Sequence, residues 1–152
     1  VTAYDRDTAL TAAHCEVRAE IARTDQKVSF LLAFTGAALA GLAAITKDLP
    51  DSTAARLVGG AGAALLAAAA VQLLLAARPR IPAGRCTGWP GWARLDVPGL
   101  HEQLALDRRV EDISALSRIA LAKYRALRRA IDMLLTAAGL LAVAAALALT
   151  AR

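Results

Sequence analysis

The residues of this chain whose types and spacing could do chemistry are basic ones. Arg23 opens and Lys27 closes the run RTDQK (23–27), Arg108 sits in LDRRVED (106–112), and Lys123 opens KYRALRR (123–129). Taken singly, each run is a solvated helix face or a base beside lipid. Gathered at one end of a helical bundle, with Arg80 added, the five would offer charge-assisted hydrogen bonds to a small phosphate anion. Other chemistry is not spelled out. The sequence has no Gly-rich loop between a strand and a helix and no GxSxG, HExxH or Walker pattern, so the expectation is a protein that is not an enzyme. Cys15 and Cys86 lie far apart with no CxxC or Cys/His spacing, and His14 and Cys15 cannot converge on one metal from a single helical turn. Neither a zinc site, a disulfide framework nor a cofactor is expected, and His14 reads as a residue of a helix-packing seam.

The elements that must position these bases are helices, and three of them are too apolar for water. Hydrophobic residues make up 57% of the 152, mostly Ala and Leu, and the mean hydropathy is +0.46, beyond what a soluble domain of this size carries. Uncharged runs at 28–46, 57–77 and 133–151, the last with Asp132 at its edge and its span read from 131, are each close to the ~20 residues needed to cross a bilayer as a helix. The first lies behind a mixed-charge segment, unlike a signal peptide. With 4% aromatic residues the chain cannot build a base-stacking platform, so the net charge of +5 is assigned to anionic lipid head groups rather than nucleic acid.

The expected fold class is all-α, with three transmembrane helices, the first and third extended into cytoplasmic stems that pair as a bundle. The divisions are a stem helix at 1–27, a transmembrane hairpin at 28–77, a Pro/Gly-rich loop at 78–98, a second stem at 99–130 and a third span at 131–152. In the first stem Leu10, His14, Val17, Ile21, Thr24, Val28 and Leu31 alternate four and three apart, the spacing of a packing seam. After an N-cap at Asp96, with Pro98 in the first turn, one continuous helix is expected to the end of the chain. Its seam is read at Leu106, Val110, Ile113, Ser117, Ala120, Tyr124, Leu127, Ile131 and Leu134. Asp51 or Ser52 is expected to cap the second span. Trp89 and Trp92, in the one irregular stretch, are expected to anchor it at the membrane interface. Gly59 and Gly62 are expected to pack between copies, giving a homo-oligomer. Between residues 78 and 129 there are eleven Lys and Arg, against Lys47 in the turn between the first two spans and Arg56 at the start of the second. By the positive-inside rule the N-terminus and both stems are then cytoplasmic and the C-terminus outside.

AEIARTDQKVSFLLAFTGA, the RPR after the second span, WARL at 92–95 and LDRRVEDISALSRIALAKYRALRRAIDMLL together resemble the transmembrane effector family of Pycsar, a bacterial antiphage system built on a pyrimidine cyclase. The resemblance spans nearly the whole chain, apart from its first ten residues and the surroundings of Cys86. It implies a bacterial inner-membrane protein that senses cyclic CMP or cyclic UMP made by a partner cyclase and then impairs the membrane, aborting infection. It assigns no nucleotide-binding residues, so the five bases rest on their chemistry alone. The alternative from a different class is a non-enzymatic membrane scaffold or plasmid-transfer accessory whose stems recruit a partner protein.

Overall fold

The computed structural model describes residues 3–45, 52–78 and 89–150. Among them all regular structure is helical: α1 (Ala3–Ile45), α2 (Thr53–Ala77), α3 (Trp89–Trp92), α4 (Val97–Ala105) and α5 (Arg109–Thr150). Helices α1 and α5 run 43 and 42 residues without a break, since neither contains Pro and both are rich in Ala and Leu, strong helix formers. Their hydroxyls do not compete with the helix. Ser29 Oγ donates to Asp25 O (3.0 Å), Thr35 Oγ1 to Leu31 O (2.6 Å) and Thr136 Oγ1 to Asp132 O (2.8 Å), which satisfies each polar group one turn back on its own helix.

The chain divides into two compact units, 1–23 with 78–122 and 24–77 with 123–152. Three helices, α1, α2 and α5, are long and apolar enough to cross a membrane, and the second unit, the span unit, takes all of α2 with α1 from Thr24 and α5 from Lys123. Its core joins Val28, Leu73, Leu127 and Ala130, with Leu31 and Leu32 packed against them. Buried positions on α2 are Ala55, Gly62, Leu66, Ala69, Leu73 and Ala76, spaced by sevens or by alternating fours and threes, as in left-handed coiled packing. Helix α2 runs antiparallel to α5. A Cβ built at Gly59 would lie 3.5 Å from Ala144 Cβ, and one at Gly62 only 3.0 Å from Leu141 Cγ. The two glycines expected between copies therefore pack on α5 of their own chain, and a side chain at Gly62 would force Leu141 or Leu140 to give way. Outward, the unit is apolar: Phe30, Leu57 and Leu135 are all more than 60% exposed, which suits lipid and not water.

In the first unit, the stem unit, Leu10, His14, Val17 and Ile21 of α1 are half-buried, and in the span unit Thr24 and Val28 are buried, so the α1 seam is as the spacing predicts. The α5 seam is not. Ile113, Ala120, Leu127 and Leu134 turn inward as expected, but the alternate positions are Leu116, Lys123 and Ala130, while Ser117, Tyr124 and Ile131 are exposed. The inner face takes a small residue at Ala130, fully buried, and at Lys123 a cation that has a partner. A search for large apolar side chains passes over both.

The expected continuous helix from Asp96 is also divided. Asp96 caps α4, its Oδ1 accepting from Gly99 N at 3.0 Å with Pro in the first turn, but α4 stops at Leu106, whose ψ of 121° is extended. Asp107 then accepts from the backbone N of Arg109 at 3.2 Å, an Asx turn that starts α5 afresh. Ser52 caps α2, through Ala55 N to Ser52 Oγ at 3.4 Å; Asp51 lies outside the described residues. The loop expected to be irregular contains the single turn α3.

Candidate functional site

Of the five expected bases, four lie on described residues and Arg80 lies outside them. In the stem unit Arg23 is largely exposed and makes an ion pair one turn back, to Glu20 at 3.5 Å, a contact of small energetic weight in water. Arg108, also in the stem unit, is exposed, and its carbonyl accepts the first backbone bond of α5, from Asp112 N at 3.0 Å. In the span unit Lys27 is exposed on α1. Lys123 differs from all of these. Its side chain is only 20% exposed, and Nζ donates to Asp25 Oδ1 at 2.5 Å.

That pair joins α1 to α5 at the first residues of the span unit. Helix phase explains it. Asp25 follows the buried Thr24 on α1, and Lys123 stands one turn before the buried Leu127 on α5, so the apolar stem of Lys123 stays packed along the seam while its ammonium meets the Asp25 carboxylate at the edge. An ammonium has three donors. With one directed at Asp25, Lys123 can still donate to a second acceptor, and an incoming anion competes with a carboxylate already in place.

Arg109 is the residue that sequence reasoning missed. Its guanidinium donates to Asp107 Oδ1 and Oδ2 (each 2.9 Å), to Thr11 Oγ1 (3.0 Å) and to Asp7. The pairing pulls the Asp107 carboxyl down from 3.8 to about 2, first through the side-chain hydrogen bond from Arg109 and next through its backbone N–H. Arg109 is in turn held more firmly protonated, chiefly by Asp107 and then by Asp7. This cation is therefore committed to structure. Only the phase of α5 tells Arg109 from its neighbour Arg108, and that phase depends on where Asp107 starts the helix. Thr11 pairs with Arg109 across 98 positions, and Asp25 with Lys123 across the same 98, so each unit sets α1 against α5 in one parallel register.

His14 is half-buried with Nε2 enclosed and without a hydrogen-bond partner, as a seam residue would be. Cys15 is an exposed free thiol, and Cys86 lies outside the described residues. Among the described residues no three His, Cys, Asp or Glu side chains group as metal ligands.

Compared with known proteins, residues 9–151 match the family model described as Pycsar effector protein domain. No curated protein and no solved structure matches the chain.

Proposed function

Because the chain belongs to the Pycsar effector family, we propose that it is an antiphage membrane effector that binds cyclic CMP or cyclic UMP through its stems and then breaches the bacterial inner membrane. The family supports an antiphage role linked to cyclic nucleotides, and three helices long and apolar enough to cross a bilayer support action in the membrane. The stems then stand in the cytoplasm, where a partner pyrimidine cyclase would supply the ligand, and the C-terminus outside. The protein acts by assembling and changing shape, without catalysis.

The observation that carries this reading is the Lys123–Asp25 pair between α1 and α5. A cyclic phosphodiester carries one negative charge, like a carboxylate, and would compete with Asp25 for the ammonium. The arithmetic then constrains the site. Moving a two-state protein from 1:99 to 99:1 takes about 5.5 kcal/mol of differential binding, and hydrogen bonds to charged groups contribute about 1.5–3 kcal/mol each. An exchange at Lys123 nets little, because one charge-assisted bond replaces another. The remainder must come from other bases, and Arg23 and Lys27 are the leading candidates, with Arg80 and Arg108 next. Several copies switching together would lower the demand on each.

The test is membrane depolarisation, in cells or in liposomes holding the purified protein, on addition of each cyclic nucleotide. Gln at position 23, 27 or 123 should abolish the response while insertion and expression persist, and Arg125→Gln should change it little. If neither pyrimidine nucleotide binds the protein or changes the potential, the effector reading falls and the scaffold reading replaces it.

A further inference from the structure

We propose that Arg128, Arg129 and Asp132, on the outward face of α5, bind the phosphate of an anionic phospholipid and draw that head group and its water down into the membrane. This rests on the reading that α1, α2 and α5 cross a bilayer, and it concerns the span unit alone. The edge of the apolar layer can be located on each helix. On α1, Asp25 pairs with Lys123 of α5, so Val28, where the first uncharged run begins, is level with Ala126. On α2, Gly59 meets Ala144 and Gly62 meets Leu141, so along this antiparallel pair Ala77, where the second uncharged run ends, is level with Ala126 as well. Two separate contacts thus set one edge at the same height, and Leu73 and Ala130 share a core just inside it. The third run does not share that edge. On α5 the last charge is Asp132, six residues and about 9 Å deeper than Ala126.

The surroundings of the three charges select the ligand. Level with Asp132, the outward residues of the neighbouring helices are Phe34 and Val71, 61% and 55% exposed, which suit lipid tails. Arg128, Arg129 and Asp132 are exposed too, and among the described residues none of them enters an ion pair. A charge at this depth persists by reaching water or by bringing polar groups to itself. The two arginines can lean back, since Cβ atoms tilt toward the helix N-terminus, here the near edge of the layer, and long stems snorkel. Asp132 is too short to cover 9 Å, and the nearby Thr136 Oγ1 donates instead to the Asp132 carbonyl at 2.8 Å. Polar matter must therefore come inward. Two adjacent guanidinium forks fit a phosphate, and with Arg125 three cations stand against one carboxylate on this face, which favours an anionic head group. Water that accompanies it reaches Asp132 and, one turn on, Thr136. The bilayer is then thinned beside α5 alone, because α1 and α2 are uncharged at that level.

The experiment uses the full chain with Cys15→Ser and Cys86→Ser, carrying Phe34→Cys, Val71→Cys or Thr136→Cys with a nitroxide attached, in vesicles of phosphatidylglycerol and phosphatidylcholine. Thr136 lies about 6 Å deeper than the other two, so an undisturbed bilayer makes it the driest of the three. A head group held by Arg128 and Arg129 makes it the wettest. Collision with a polar nickel chelate, relative to oxygen, should be about tenfold greater at 136 than at 34 or 71, the equivalent of 1.4 kcal/mol of partitioning. Arg128→Gln combined with Arg129→Gln should return position 136 to the value of the others and lower the phosphatidylglycerol that stays with the protein on purification from those vesicles. Low collision at all three positions discards the head-group site and keeps the spans, while high collision at all three discards both. A wet position 136 that is indifferent to loss of the two arginines, or unchanged lipid retention, overturns the proposal and assigns the water to another route, such as a contact between copies.

Discussion

At the scale of single residues, the pair at Lys123 makes a prediction that a generic basic patch would not. Asp25 occupies the ammonium of Lys123 from within the chain, so Asp25→Asn should ease the entry of a competing anion. Depolarisation should then begin at roughly three- to tenfold lower cyclic nucleotide, the modest range expected because Asp25 is about half exposed and its contact is partly screened. A higher threshold than wild type would show that Asp25 helps to build the site rather than obstruct it. Asp107 makes a second prediction. Its folded-state pKa is depressed to about 2 from 3.8, so its contribution to the folded stem is present above pH 3.8 and is lost as pH falls toward 2. Hydrogen exchange at the start of α5 should quicken over that window, and Asp107→Asn should remove the acid-dependent step. The bases were legible as types in the sequence. So was the local pair of Arg23 with Glu20; the partners of Lys123 and Arg109 on α1 were not, because contacts 98 positions apart exist only once two helices have settled their register.

At the scale of elements, most of α1 could be read in advance and half of α5 could not. The α1 seam is spelled by Leu10, Val17, Ile21 and Val28, ordinary core residues at ordinary spacing. On α5 two rows of apolar side chains lie one position apart, and the row with the larger ones, Tyr124 and Ile131, is the outer one; periodicity alone does not say which row meets α1. The break at Leu106 was hidden because a carboxylate two residues before a helix looks the same whether it starts that helix or lies inside a longer one. Gly62 gives the prediction at this scale. A Cβ there already meets Leu141 at 3.0 Å, whereas one at Gly60 meets nothing within 4 Å. Gly62→Leu should overpack the α2–α5 contact and cost roughly 1–3 kcal/mol, and Gly60→Leu should be close to neutral. Thermal unfolding of detergent-purified protein distinguishes the two, and equal losses would mean that the close approach of α2 to α5 is not maintained in solution.

At the scale of the whole molecule, the three spans and their all-helical frame were legible from uncharged length alone, since a bilayer leaves few other ways to satisfy a backbone. The asymmetry of basic residues predicts the orientation. With Cys15 and Cys86 replaced, a cysteine at Asp51 should react with an impermeant reagent applied from outside and one at Arg94 should not; the reverse pattern would invert the topology and remove the stems from the cytoplasm. The register between α1 and α5 bears on how such a machine could move. Thr11, Arg18 and Asp25 stand seven residues apart on α1, and Arg109, Leu116 and Lys123 stand seven apart on α5. Sliding α5 one heptad toward the C-terminal end of α1 would carry Arg109 from Thr11 onto Arg18, cation against cation, and Lys123 from Asp25 onto Leu32. Sliding the other way would leave Arg109 beside Tyr4 and Asp25 without its ammonium. A ratchet by whole heptads in either direction would thus give up both the Arg109 and the Lys123 contacts with α1.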